Sequence, residues 1–234
     1  MHLFYNPTLD NSFKQFFFSL EESKHIVKVL RKAEGDIVNL TNGRGSLFQA
    51  KILEANPKKC KAQIISEEKT IPRLHSLHIA IAPTKMNDRF EWFLEKATEI
   101  GIQEITPILC DHSERKVIKQ ERLEKVLQSA MKQSLQTFLP KLNPLMSLQE
   151  FLGSVKGGLN LVAHCHPEEK LELKRRVQAD KDVVILIGPE GDFSKDEINL
   201  ALHEGFLPVS LGRNRLRTET AGIVACTTVA MINS

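Results

Sequence analysis

From Leu77 onward, short apolar runs alternate with longer stretches whose apolar positions recur at helical spacing. "LHIAIA" (77–82) predicts a strand. "RFEWFLEKATEIG" then places Phe90, Phe93, Leu94, Ala97 and Ile100 on one helix face, with Gly101 as the stop. "EITPIL" predicts a second strand, weakened by Pro107. "ERLEKVLQSAMKQSL" aligns Leu123, Val126, Leu127, Ala130 and Met131 on another helix face. "LNLVAH" (159–164) predicts a third strand, and "EEKLELKRRVQ" a charged helix after it. "VVILI" (183–187) has no polar position, which predicts a central strand buried on both faces. Ser194 and Glu197 stand at capping-box spacing at the head of a helix that closes at Gly205. "LPVSL" predicts the fifth strand, and a last helix runs from about Thr220 to Ile232.

Residues 1–70 follow a different pattern. Ile37–Leu40 and Leu47–Leu53 alternate partly, and "NGRG" between them is a hairpin signal, because Asn and Gly tolerate the positive φ such turns need. "KCKAQIISEE" adds a strand, and a short helix "ESKHIVKVLRK" presents Ile26, Val27 and Leu30 on one face. This predicts a small β-barrel module, joined by the polar, Pro72-containing "EEKTIPRLHS" to an α/β domain over residues 71–234. Strands alternating with helices imply right-handed crossovers and a mostly parallel sheet. Ligands bind such sheets outside the carboxyl ends of the strands. The loops leaving the last three strands, "AHCHPE", "GPEGDFS" and "GRNRLRTETAG", therefore become the candidate site.

Composition narrows the class. The 234 residues are 41% hydrophobic and 26% charged, an ordinary globular balance. No apolar run is long enough to span a membrane, and the N-terminus lacks a secretory pattern. Cys60, Cys110, Cys165 and Cys226 form no CxxC pair, so a reducing, cytoplasmic setting is expected. The net charge of +3 sits in residues 1–70, where 11 Lys and Arg face 8 Asp and Glu; the rest is balanced. A basic small module fits a polyanionic partner.

The loops carry the chemistry. "IGPEGDFSKDE" is neither a Walker loop nor GxGxxG, and Glu190 and Asp192 would repel a triphosphate. It is either a tight β–α turn without a ligand, or a backbone cradle for a neutral or cationic one, with Gly188 and Gly191 letting backbone approach. In "LGRNRLRTETAG", Thr218 or Thr220 could cap the last helix, with Glu219 favourable in its first turn. Capping does not explain Arg213, Arg215 and Arg217, which need an anion beside them. "HCH" (164–166) has no recognisable third ligand, so no metal is expected. "CDHSERK" (110–116) is a solvated loop or an RNA contact through His112, Arg115 and Lys116, and Trp92 reads as core.

"LIGPEGDFS", "LGRNRLRTETA", "KATEIG" and "HSER", occurring together in this chain, resemble the bacterial 16S ribosomal RNA uridine-N3 methyltransferases of the SPOUT class. "HIVKVLRKAEGD" with "NGRG" resembles the PUA-like domain of the same enzymes. The resemblance implies a deep trefoil knot in residues 71–234, a PUA-like RNA-binding domain in residues 1–70, and S-adenosylmethionine bound in bent form in the knot loops. It also implies a homodimer acting on a uridine of 16S rRNA in the assembled small ribosomal subunit. Two positions depart from the family pattern: Asp192 stands where Gly is frequent, and Gln136 where many members carry an arginine.

On that reading the adenine is held by the backbone around Ile187, Gly188, Pro189, Glu190, Gly191, Leu211, Gly212 and Leu216. Arg217 stabilises charge developing on uracil, and Glu219 either takes the N3 proton or pairs with an arginine to order the loop. Lys28, Arg31, Arg44, Arg89, Arg115, Arg213 and Arg215 are the candidate RNA contacts. The rival readings are a SPOUT enzyme acting on another RNA position, and a non-catalytic RNA-binding assembly protein.

Overall fold

The computed structural model describes residues 2–10, 14–167 and 169–234. The chain divides into two compact units, one of residues 1–72 with 131–139, the other of residues 73–130 with 140–234. Residues 131–139, inside the stretch expected to be one α/β domain, thus group with the small unit.

In the small unit, strands β1 (Leu3–Tyr5), β2 (Gln15–Phe17), β3 (Ile37–Thr41), β4 (Ser46–Glu54) and β5 (Lys61–Lys69) form one sheet in the order β1-β3-β4-β5-β2. The sheet curls into a half-barrel, as expected of this module, and among the described residues no pairing joins β1 to β2. Its core includes Phe4, Ile26, Leu40, Phe48 and Ile52. The hairpin forms at "NGRG": β3 and β4 pair antiparallel up to Thr41 opposite Leu47, and the Asn42 side chain accepts from the amides of Arg44 and Ser46. Gly45 is needed here, since a Cβ would lie 2.4 Å from the Phe138 ring. Phe138 bridges Arg44, and Thr137 accepts from the Gly45 amide and the Thr41 hydroxyl through its carbonyl. The expected helix over 22–32 is shorter and broken: α1 (Leu20–Lys24) passes into a π-helical turn (His25–Val29), stopped by Arg31 at a φ of 54°.

In the large unit every strand pairing is parallel. Strands β6 (Leu77–Ile81), β7 (Glu104–Leu109), β8 (Lys141–Leu142), β9 (Met146–Ser147), β10 (Leu159–Ala163), β11 (Leu171–Glu172), β12 (Val183–Ile187) and β13 (Leu207–Ser210) run in the order β11-β13-β10-β12-β6-β7-β8, with β9 also on β7. The all-apolar β12 is internal, between β10 and β6, as its sequence predicts. Pro107 is tolerated because β8 pairs β7 at 104–105 and β9 pairs it at 108–109, leaving the proline no partner on that side.

Helices α2 (Asn87–Ile100), α3 (Gln120–Gln133), α4 (Leu148–Ser154), α6 (Lys195–His203) and α7 (Thr218–Ile232) complete the chain, with α5 reduced to Leu173–Arg176. The charged helix expected over 168–178 is therefore only β11 and α5; its first residue, Glu168, lies outside the described residues. Ser194 caps α6 in a full capping box with Glu197, and Gly101 ends α2 in the left-handed conformation. Trp92, expected in the core, is 43% exposed on α2, whose packed face is Phe90, Phe93, Leu94 and Ala97. Among the described residues no helix is long and apolar enough to cross a membrane.

Candidate active site

Strands β10, β12 and β13 lie side by side, so the loops following them emerge together at the carboxyl edge of the sheet. They enclose a cleft of about 750 Å³, within the usual range for small-molecule sites. Seven of the eight residues expected around an adenine line it: Ile187, Gly188, Pro189, Glu190, Leu211, Gly212 and Leu216. Arg213, Arg215 and Arg217 line it as well, all exposed. Gly191 does not, and the room it leaves is filled from within: a Cβ there would lie 2.9 Å from the His112 Cβ, and one on Gly188 would lie 3.0 Å from the Phe193 ring. The two glycines admit the protein's own side chains.

Hydrogen bonds tie the loops to one another. The Thr218 hydroxyl donates to the Gly188 carbonyl at 3.1 Å. Glu190 accepts the Lys85 amide at 2.9 Å through its carboxylate and, through its carbonyl, Arg215 at 3.4 Å. Asp192 accepts the amides of Cys165 at 2.7 Å and Phe193 at 2.9 Å. The Lys170 ammonium donates to the carbonyls of His164 and His166. Asp192, on the expected "GPEGDFS" loop, lines the cleft, and so does Lys170, which lies outside the three loops expected to form the site. The departure from the family's frequent glycine was the signal for Asp192; no periodicity marks Lys170.

The threonine caps expected at the last helix do not form. Arg217 is the N-cap of α7, without a side-chain cap bond, and Thr218 bonds across to Gly188 instead. Glu219 is buried, with its carboxylate 4.0 Å from Arg89 Nε, and it does not line the cleft.

The remaining candidates separate. Arg115 donates to the carbonyls of Thr84 and Lys85, bracing the loop after β6. Arg44 donates to the carbonyls of Pro7 and Leu9. Lys28 and Arg31 are exposed on the small unit. The rings of His164 and His166 lie 5.7 Å apart in the cleft wall, and among the described residues no group of three metal-ligating side chains occurs. Burial pushes the Cys110 thiol up, so it stays protonated at the head of the loop after β7.

A family model described as RNA methyltransferase domain matches residues 72–230. The chain belongs to this RNA methyltransferase family. A second model, RNA methyltransferase PUA domain, matches residues 20–65. Among named relatives, the ribosomal RNA small subunit methyltransferase E of Buchnera aphidicola is 33% identical, over 93% of this chain and 88% of its own length. A Porphyromonas gingivalis structure described as a probable rRNA-methyltransferase is 42% identical with a TM-score of 0.93, covering 100% of this chain and 98% of its own. A ribosomal RNA small subunit methyltransferase E from Neisseria gonorrhoeae, solved bound to S-adenosyl methionine, is 25% identical with a TM-score of 0.85, covering 100% and 98%.

Proposed function

We propose that this chain transfers a methyl group from S-adenosylmethionine to N3 of one uridine in the 16S rRNA of the small ribosomal subunit. The observation that carries the reading is the cleft of about 750 Å³ formed by the loops after β10, β12 and β13 in a chain of the RNA methyltransferase family. The small-subunit target draws on the names of the relatives. The N3 position draws on the resemblance of residues 186–194 and 211–221.

The donor set fits the cofactor. Ile187, Val209, Leu211 and Leu216 give apolar walls for an adenine, Lys170 can meet a carboxylate, and Glu190 and Asp192 suit positive charge. When bound, the cofactor supplies a methyl group already activated on a sulfonium. Uracil N3–H is a weak acid and its neutral form a poor nucleophile. Arg217, on the cleft rim, stabilises the negative charge on the base as the proton leaves. Glu219 was open between proton acceptor and ordering residue; its burial and its pairing with Arg89 favour the second. The proton then passes to water. Arg213 and Arg215 meet RNA phosphate beside the cleft, and Lys28 and Arg31 meet it from the small unit. Arg44 and Arg115, committed to backbone carbonyls, act on structure first.

The knot, the dimer and the setting complete the reading. The chain passes from β13 by the Gly188 loop, which Thr218 touches, to α7 packed on β6 and β12, a return path that supports a trefoil knot. Met231 is 73% exposed on α7 and Trp92 43% exposed on α2, apolar surface that a second copy would bury. The substrate is an assembled small subunit in the cytoplasm.

Calorimetry with S-adenosylmethionine, and mass spectrometry of rRNA from a deletion strain, test the proposal. It expects binding and the loss of one uracil base methyl. Absence of binding supports the non-catalytic rival; loss of a methyl elsewhere supports the other SPOUT target.

A further inference from the structure

We propose that Asp192 is a positioning residue that locks the wall of the cleft in its ligand-ready shape, an inference resting on the cofactor reading above. Asp192 closes the turn begun by Pro189, its amide donating to the Pro189 carbonyl at 2.9 Å. Its φ of 66° lies in the left-handed region, where a Cβ is disfavoured and glycine is free. An aspartate there carries a local conformational cost, and its carboxylate offsets that cost by bonding to its own loop and to the loop after β10.

One carboxylate oxygen accepts the Phe193 amide at 2.9 Å, holding its own loop. The other accepts the Cys165 amide at 2.7 Å, a short charge-assisted bond into the loop after β10. Cys165 is exposed, so burial does not fix its backbone. The same loop is gripped on its carbonyl side by Lys170, through His164 and His166. Two further bonds brace the turn itself: His112 Nδ1 donates to the Asp192 carbonyl at 2.9 Å, and His166 Nε2 to the Phe193 carbonyl at 3.1 Å. Asp192 and the loop it grips both line the cleft. A wall ordered before the ligand arrives spares the ligand the entropy of ordering it. The strained aspartate therefore serves cofactor affinity more than fold stability.

The test compares the wild-type chain with Asp192→Gly, Asp192→Ala and Asp192→Asn by S-adenosylmethionine calorimetry, thermal melting and amide exchange. Glycine removes the tie and the strain together, so its melting temperature should stay close to wild type while the Kd rises about tenfold. Alanine loses the tie but keeps the strain, so it should lose melting temperature as well. Asparagine retains an acceptor and should recover part of the affinity. The Cys165 amide, protected in the free wild-type protein, should exchange faster in the glycine variant. The proposal is overturned if Asp192→Gly binds within about twofold of wild type, or if affinity and melting temperature fall in step across the variants. Absence of binding by the wild-type chain overturns the cofactor reading and this inference with it; an unchanged Cys165 exchange rate overturns this inference alone.

Discussion

The hydroxyl of Thr218 donates to the carbonyl of Gly188 at 3.1 Å, in a buried position, joining the start of the last helix to the end of the central strand. Thr218→Val keeps the shape and removes the donor. The Gly188 carbonyl then loses a buried partner, at a cost of about 1–3 kcal/mol. A lowered melting temperature with weaker cofactor binding is expected from scanning calorimetry and titration; an unchanged melting temperature would show that water replaces the hydroxyl.

At Gly222, α7 comes close to Phe93 and Ile81. A Cβ there would lie 2.5 Å from Phe93 Cε2 and 3.1 Å from Ile81 Cδ1. Gly222→Ala should destabilise by about 1–3 kcal/mol through overpacking, despite the better helix propensity of alanine. Urea denaturation measures the balance, and a gain in stability would refute the close approach.

Arg217 and Glu219 stand two residues apart but face different surroundings. Arg217→Ala should lower methyl transfer by about 10²–10³-fold while cofactor affinity stays within a few fold. Glu219→Gln should act mainly through order at the head of α7, with a small rate change and an unshifted pH profile. A large rate loss with a shifted pH profile would restore Glu219 as the proton acceptor.

On the small unit, Lys28→Ala and Arg31→Ala should each weaken RNA binding and reduce the slope of log affinity against log salt by about one. Arg44→Ala should instead lower the stability of the unit, since its guanidinium holds the carbonyls of Pro7 and Leu9, and should leave the slope nearly unchanged.

His78 gives a pH dependence with a definite sign. Burial lowers its pKa from the usual 6.5, with Glu104 opposing and Lys141 assisting, and its Nε2 lies 2.7 Å from the Thr106 hydroxyl. The unfolded chain takes up the proton more readily, so the contribution is full above about pH 6.5 and lost as pH falls below it. Melting temperatures between about pH 5 and 8 should fall on the acid side, and His78→Asn should flatten that part of the curve.

Much of the arrangement was legible because local and global signals agree. The unbroken apolarity of Val183–Ile187 marks a strand buried on both faces, and Ser194 with Glu197 marks the helix behind it. Together they place the "GPEGD" loop at the carboxyl edge of the sheet. The start of α7 was misread because Thr218 spends its hydroxyl on a carbonyl thirty residues away in sequence, which no local rule anticipates. Two-residue strands such as Lys141–Leu142 have no period to detect. Asp192 broke the family pattern visibly, yet its partner Cys165 could be found only with the loops assembled.

The return of residues 131–139 to the small unit has a consequence for synthesis. Thr137 and Leu139 supply backbone partners for Thr41, Gly43 and Gly45 at the tip of the β3–β4 hairpin. A ribosome that has released only the first seventy residues has not yet made them. The small unit becomes complete only after the first two strands and two long helices of its neighbour have been translated. No single proteolytic cut can free it intact.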